Sequence, residues 1–286
     1  MQATTTHYLS LVKFSHTVFA LPFAAIGFTL AVTTPRYEFT FLLALKVLLC
    51  MVFARNAAMA FNRWADRNID ASNPRTASRE IPSGIISAHS ALTFTIINCI
   101  AFVVTTWFIN TACFSLSFVA LAVILGYSLT KRFTALCHLI LGLGLSLAPI
   151  GAWLAVTGVF AALPVYFSVA VLCWTAGFDI IYALQDEEFD KRNKLNSIPQ
   201  MFGAKRALIL SRNLHAASAL TLLAAGFDDR FSGIYFIGWF IFSVLLVYQH
   251  TLVKPDDLSK TGIAFATTNG IASVLFGIFT ILALMI

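Results

Sequence analysis

Nine runs of mostly apolar residues, each about 20 long, divide this 286-residue chain, and that is the length an α-helix needs to cross a ~30 Å hydrocarbon core. They cover residues 14–32, 39–61, 87–108, 114–130, 134–156, 164–184, 207–225, 232–250 and 262–286. Turn-forming residues close them, among them Thr33-Thr34-Pro35, Asn73-Pro74, Pro82-Ser83-Gly84 and Pro255-Asp256-Asp257. Backbone polar groups in lipid must be satisfied internally, and these runs are too long and continuous for the alternating strands of a barrel. The expected fold is an all-α integral membrane bundle of nine helices, one domain over residues 1–286.

Composition agrees. Hydrophobic residues make up 59% of the chain and charged residues 11%, less than half the ~25% of a soluble protein, whose water-facing surface could not be covered that sparsely. A soluble enzyme, a nucleic-acid module and a disordered partner are excluded. The net charge of +6 sits in a few interhelical segments, so it reads as a topology signal and an anion site rather than a nucleic-acid footprint. Sixteen basic residues fall at Lys13, Arg55, 63–79, 131–132, 191–212, Lys254 and Lys260, against three (Arg36, Lys46, Arg230) toward the other side. That asymmetry places the N-terminus and the loops near 62–86, 131–133, 186–206 and 251–261 in the cytoplasm and the C-terminus outside; the expected membrane is a bacterial inner membrane. No cleavable leader precedes the first run, so it is expected to be retained. Cys50, Cys99, Cys113, Cys137 and Cys173 are scattered singly through apolar runs and read as small packing residues.

Two segments stand out against this thin charge distribution. After the second run, Asn62, Asp66 and Asp70 recur every four residues, so on a helix their oxygens face a common point. After the sixth, Asp179, Tyr182, Asp186 and Asp190 share a stripe in the same way, and the same offset of 120 relates Asp66 to Asp186 and Asp70 to Asp190. Carboxylates stacked at i and i+4 repel, so two such stripes at a membrane edge call for a cation. Mg²⁺, which binds through one or two carboxylates plus substrate phosphates, suits sparse carboxylates, and a diphosphate would complete its shell. Arg67, Arg75, Arg79, Lys131, Arg132, Lys191, Arg192 and Lys194 surround the stripes as an anion-binding set. Each could also be a topology anchor. Arg55 lies two turns inside the second span, where a buried anionic partner such as a substrate carboxylate is expected.

These residues carry a family resemblance. The run from Arg55 to Asp70, with Asn73-Pro74-Arg75-Thr76-Ala77-Ser78-Arg79 and Ile81-Pro82-Ser83-Gly84, resembles the first aspartate-rich motif of the UbiA superfamily of intramembrane prenyltransferases. Tyr127-Ser128-Leu129-Thr130-Lys131-Arg132 resembles its tyrosine-to-lysine-arginine turn, and Asp179 to Asp190 with Ser197-Ile198-Pro199 its second motif. The resemblance implies a bundle with a central cavity capped by the two cytoplasmic motif loops, and an alkyl-transferring enzyme in which Mg²⁺ bridges the aspartates to an isoprenyl diphosphate. Carried over residue by residue, it makes Asn62, Asp66, Asp70, Asp186 and Asp190 the metal set. Arg67, Arg75, Arg79, Tyr127, Lys131, Arg132 and Lys194 become the diphosphate set, Asp179, Tyr182 and Lys131 the catalytic groups, and Arg55 the ligand of an aromatic acid's carboxylate. Arg63 departs from the motif, where many relatives have aspartate, but it points about 100° away from position 62.

The Tyr-Ala-x-Gln-Asp-x-x-Phe-Asp form resembles the 4-hydroxybenzoate polyprenyltransferase branch, with a naphthoate acceptor of futalosine-type menaquinone biosynthesis as the alternative. The implied partners are isoprenyl diphosphate, an aromatic acid and membrane lipid, with no nucleic acid and no obligate protein partner. An ion-coupled transporter is the rival from another class, but its acidic groups would run through the midplane and its broken helices would recur in both halves. A non-catalytic quinone-binding subunit would leave both carboxylate stripes without a purpose.

Overall fold

The computed structural model describes residues 4–12 and 19–286. Lys13 and residues 14–18, the opening of the first expected span, lie outside the described residues. Among the described residues all regular structure is helical, apart from one isolated bridge between Lys254 and Asp257. After the short α1 (Thr5–Leu11) and α2 (Leu21–Val32) come α3 (Phe41–Ala65), α4 (Arg67–Ser72), α5 (Ala88–Trp107), α6 (Thr111–Thr130), α7 (Cys137–Thr157) and α8 (Ala162–Ala183). A 3₁₀ turn (Leu184–Asp186) leads into α9 (Glu187–Arg192), followed by α10 (Ile198–Ala225), α11 (Ile234–Leu252), a π-helical turn (Ile263–Thr268) and α12 (Asn269–Met285). Eight of these segments are long and apolar enough to cross a membrane, and α2 is a shorter apolar helix beside them. The all-α membrane class expected from the runs is the class observed.

The chain forms two compact units, one of residues 1–17 and 41–129, the other of residues 18–40 and 130–286. In the first, α3 packs along α5, and the Asn56 amide donates to Asn98 Oδ1 at 3.1 Å between them. A cluster of Leu11, Ala60, Ile81, Ile86 and Ala91 presses the segment after the first motif against α1 and α3. That apolar seal fixes where Arg79 emerges.

In the second unit α8 is the hub, packed on α7 and α10. In its 18-residue apolar stretch 67% of the residues are buried, against 11% in that of α3. Small residues permit the close approach: a Cβ on Gly142 of α7 would meet the Leu172 carbonyl of α8, and one on Gly27 of α2 would overlap the Pro149 carbonyl of α7. Trp174 is fully buried among the rings of Phe19, Phe23, Phe178 and Phe242 and donates its indole N–H to Asn269 Oδ1 at 2.8 Å. Toward the motif end, Ile180, Ile181, Leu184, Ile198 and Leu208 form a cluster that sets the start of α10 against the end of α8.

The structure moves two boundaries read from the sequence. The segment 186–206, expected as a loop, contains α9 and the first turns of α10, because Ser197 caps α10 by accepting the Gln200 N–H at 3.3 Å and Pro199 fits its first turn. Gly203 interrupts α10 at φ 75°, a conformation that glycine adopts without a Cβ clash. The polar Lys205-Arg206 pair beyond it delays the apolar window to residue 207. The first motif is likewise helical on both sides of Asp66, with α4 following α3 after a single residue.

Candidate active site

The first motif grows out of α3, whose helix outlasts its apolar stretch. At Asp66 the backbone leaves helical geometry (φ −92°, ψ 7°), yet the i to i+4 ladder continues: Asp66 N–H bonds Asn62 O at 2.9 Å and Asp70 N–H bonds Asp66 O at 2.7 Å. Asn62, Asp66 and Asp70 therefore remain on one stripe. The Asn62 amide donates to Asp66 Oδ2 at 3.2 Å.

Asp70 is 5% exposed. Its Oδ1 accepts from Arg79 Nη1 at 2.7 Å, while Oδ2 is buried without a hydrogen bond, 4.0 Å from Arg63 Nη1. The sequence alone sets Arg63 off the stripe, but its long side chain folds back, buried, to stand beside the free oxygen. The loop from Asn73 to Arg79 wraps around this carboxylate: Asn73 Oδ1 accepts the Arg75 N–H at 3.0 Å and the Thr76 hydroxyl donates to Asp70 O at 3.0 Å. Arg67 turns the other way, donating to Trp64 O at 2.7 Å with its guanidinium 5.0 Å from the Trp64 ring centroid. Arg75 is exposed, and Arg55 on α3 and Tyr127 on α6 are half-buried.

The second motif is built the same way within its own unit. α9 is six residues long, like α4, and starts 120 positions after it. Asp190 is fully buried; Lys131 Nζ lies 2.7 Å from its Oδ1 and the Ser197 hydroxyl donates to Oδ2 at 2.9 Å. Lys131 O in turn accepts the Asn196 N–H at 2.7 Å, tying the tyrosine-to-lysine-arginine turn to the segment ahead of α10. Asp186 is buried near Asp190, and Arg132 and Lys194 are exposed. Lys194 takes a left-handed φ of 54°, which turns the chain between α9 and α10.

Further along α8 toward the membrane, Asp179 and Tyr182 are the half-buried positions in a stretch, Trp174 to Leu184, that is otherwise buried. The Tyr182 ring lies 4.3 Å from that of Phe265 on the π-helical turn. Asp179 Oδ2 is 2.7 Å from Nδ1 of His138, a buried residue of α7 that the motif spacing does not single out. A lone histidine in an apolar run carries no periodic signal; only its contact across 41 residues of sequence reveals it.

Comparison with known proteins accords with this geometry. The UbiA prenyltransferase family model matches residues 20–283. A 4-hydroxybenzoate octaprenyltransferase of Francisella tularensis subsp. mediasiatica is 31% identical over 231 residues, covering 79% of each chain. One of Aliivibrio fischeri is 30% identical over 226 residues, covering 79% of this chain and 78% of its own. Among solved structures, the apo structure of a UbiA homolog from Aeropyrum pernix K1 superposes with a TM-score of 0.84 at 30% identity, covering 93% of this chain and 97% of that one. A UbiA homolog from Archaeoglobus fulgidus bound to GPP and Mg²⁺ shares the fold, with a TM-score of 0.74 at 22% identity over 98% of this chain and 100% of that one. Two buried aspartates in twin helix-turn-helix segments thus sit on a fold and a sequence that point the same way, and the chain belongs to the UbiA prenyltransferase family.

Proposed function

We propose that this protein transfers a polyprenyl group from an isoprenyl diphosphate to an aromatic acid, a 4-hydroxybenzoate-like acceptor, as a step in quinone biosynthesis that depends on Mg²⁺. The observation that carries the reading is the pair Asp70 and Asp190: buried carboxylates at equivalent places in two similarly built segments, Asp70 paired with Arg79 and Arg63 and Asp190 with Lys131. The names of the Francisella and Aliivibrio relatives support the acceptor.

The donor set fits a hard cation. It is all oxygen, and Asp70 Oδ2 is buried with no hydrogen-bond donor of its own. Asn62, Asp66, Asp70, Asp186 and Asp190 are the residues that would hold the cation, and when bound it supplies Lewis-acid stabilisation of charge on the departing diphosphate. Arg67, Arg75, Arg79, Tyr127, Lys131, Arg132 and Lys194 hold the diphosphate oxygens, with Lys131 placed to assist departure.

Ionisation of the allylic C–O bond leaves a carbocation, for which water would be a competing nucleophile. The dry apolar surroundings of α8 and the stacked rings of Tyr182 and Phe265 offer it weakly nucleophilic π-faces instead. Arg55 binds the acceptor's carboxylate, so the ring carbon ortho to the phenol attacks the cation, and Asp179 takes the ring proton. The basic asymmetry of the loops supports a cytoplasmic N-terminus and cytoplasmic motif loops in the inner membrane, with the C-terminus outside.

The test is a radiolabelled prenyl-transfer assay in membranes, with 4-hydroxybenzoate or a naphthoate acid as acceptor, with and without EDTA. Labelled prenyl-4-hydroxybenzoate that disappears with EDTA is the expected result. Product on naphthoate alone would reassign the acceptor, and no product on either would remove the reading.

A further inference from the structure

His138 occupies the start of α7, 3% exposed, and none of the roles above uses it. A polar ring buried in a spanning helix needs partners for both nitrogens. It has them. Nδ1 faces Asp179 Oδ2 at 2.7 Å, and Nε2 receives the backbone N–H of Ile198, the first residue of α10, at 3.3 Å. A backbone N–H can only donate, so Nε2 carries a lone pair and the ring is not doubly protonated. The single proton therefore sits on Nδ1 and points at the carboxylate. The two contacts fix the tautomer between them.

The consequence falls on Asp179. Its Oδ2 is engaged by His138, whereas Oδ1 has no partner among the described residues, and the side chain keeps 23% exposure on a helix buried on either side of it. One oxygen is held and the other is presented. We infer that His138 is a positioning residue: its Nδ1–H clamps Asp179 Oδ2 so that Oδ1 is aimed to take the ring proton of the acceptor. This rests on the prenyl-transfer reading above.

The step balances without a further reagent. After the new C–C bond forms, the ring is a cation bearing both the prenyl group and a hydrogen on one carbon. That C–H bond breaks, its electron pair restores the aromatic sextet, and the proton passes to Oδ1, giving a neutral carboxylic acid. Release of that proton to water as the product leaves restores the carboxylate. His138 exchanges no proton. Its Nδ1–H holds one face of the carboxylate fixed, a pre-organising role like that of the third member of a catalytic triad, with the residue types reversed.

A purely structural role is the competing account, because the Ile198 contact also anchors the start of α10 next to Ser197. Two amide substitutions separate them. His138→Asn puts a donor where Nδ1 stood and loses the Ile198 contact; His138→Gln puts an acceptor where Nε2 stood and loses the Asp179 contact. The measurement is the saturated rate with 4-hydroxybenzoate and with its 3,5-dideuterated form on the same preparation, so the fraction of folded protein cancels in the ratio. In the parent, deprotonation follows a slower ionisation and the ratio is near one. In His138→Gln, kcat should fall by about tenfold or more, KM for the prenyl diphosphate should stay within about twofold, and the isotope ratio should rise above about two as deprotonation becomes limiting. His138→Asn should retain a ratio near one and most of the parent rate. A Gln variant as fast as the parent, or slow with its ratio still at one, would overturn the positioning role. A parent protein that forms no prenylated product would overturn the prenyl-transfer reading and this inference with it.

Discussion

Asp190 has both carboxylate oxygens spoken for and no exposure, whereas Asp66 is half-buried and accepts from the Asn62 amide. Both are predicted to be indispensable, since removing one ligand of a metal and diphosphate cluster should cost at least about 10³ in rate. Asp66→Ala and Asp190→Ala should therefore abolish turnover while the protein still inserts and purifies; activity within tenfold of the parent in both would sink the ligand assignment. Arg55→Ala should raise the apparent KM for the aromatic acid by about tenfold or more, because truncating one partner of a desolvated charge pair costs about 2–5 kcal/mol, less at a half-buried site. An equal rise for the prenyl diphosphate would move Arg55 to the phosphate set. The aspartates were legible in the sequence because four-residue spacing survives the break at Asp66. Arg63 and His138 were not. Their partners are reached by a long side chain folding back along the helix in one case and by packing of α7 on α8 in the other, and neither leaves a mark in residue order.

The elements were read well wherever length and apolarity decided them, and less well where capping did. α10 begins nine residues before its apolar window because Ser197 and Pro199 start a helix that hydropathy cannot see. Ser197 has a double duty: its oxygen accepts the Gln200 N–H and its hydroxyl donates to Asp190. Ser197→Ala should therefore lose about 1 kcal/mol of stability through the cap alone and lower activity by freeing Asp190, while Ser197→Thr, which keeps both bonds, should restore both. Thermal unfolding in detergent beside the transfer assay checks this. Unchanged activity in the Ala variant would show that Asp190 does not depend on its hydroxyl donor.

For the whole molecule, hydropathy gave the membrane class and charge asymmetry gave an orientation that labelling can test. In a variant lacking the five native cysteines, a cysteine at exposed Ser72 or exposed Asn193 should react with an impermeant thiol reagent from the cytoplasmic side only, and more slowly with prenyl diphosphate and Mg²⁺ present. Labelling from outside would invert the topology. The twin segments invite a second comparison, since their six-residue helices are far too short to persist alone. α9 is matched to its own dipole, with Glu187, Glu188 and Asp190 in the first turn, Lys191 and Arg192 in the last, and Glu188 to Arg192 at 3.1 Å. α4 opens on Arg67 and closes without a basic residue, and its ordering depends on Asp70 and the loop bonded to it. Amide hydrogen exchange should therefore run faster through α4 than through α9, and a bound diphosphate that engages Arg79 should slow α4 the more. The first motif would then be the segment whose local melting sets how quickly the protein takes up its charged substrate, while the second waits already folded.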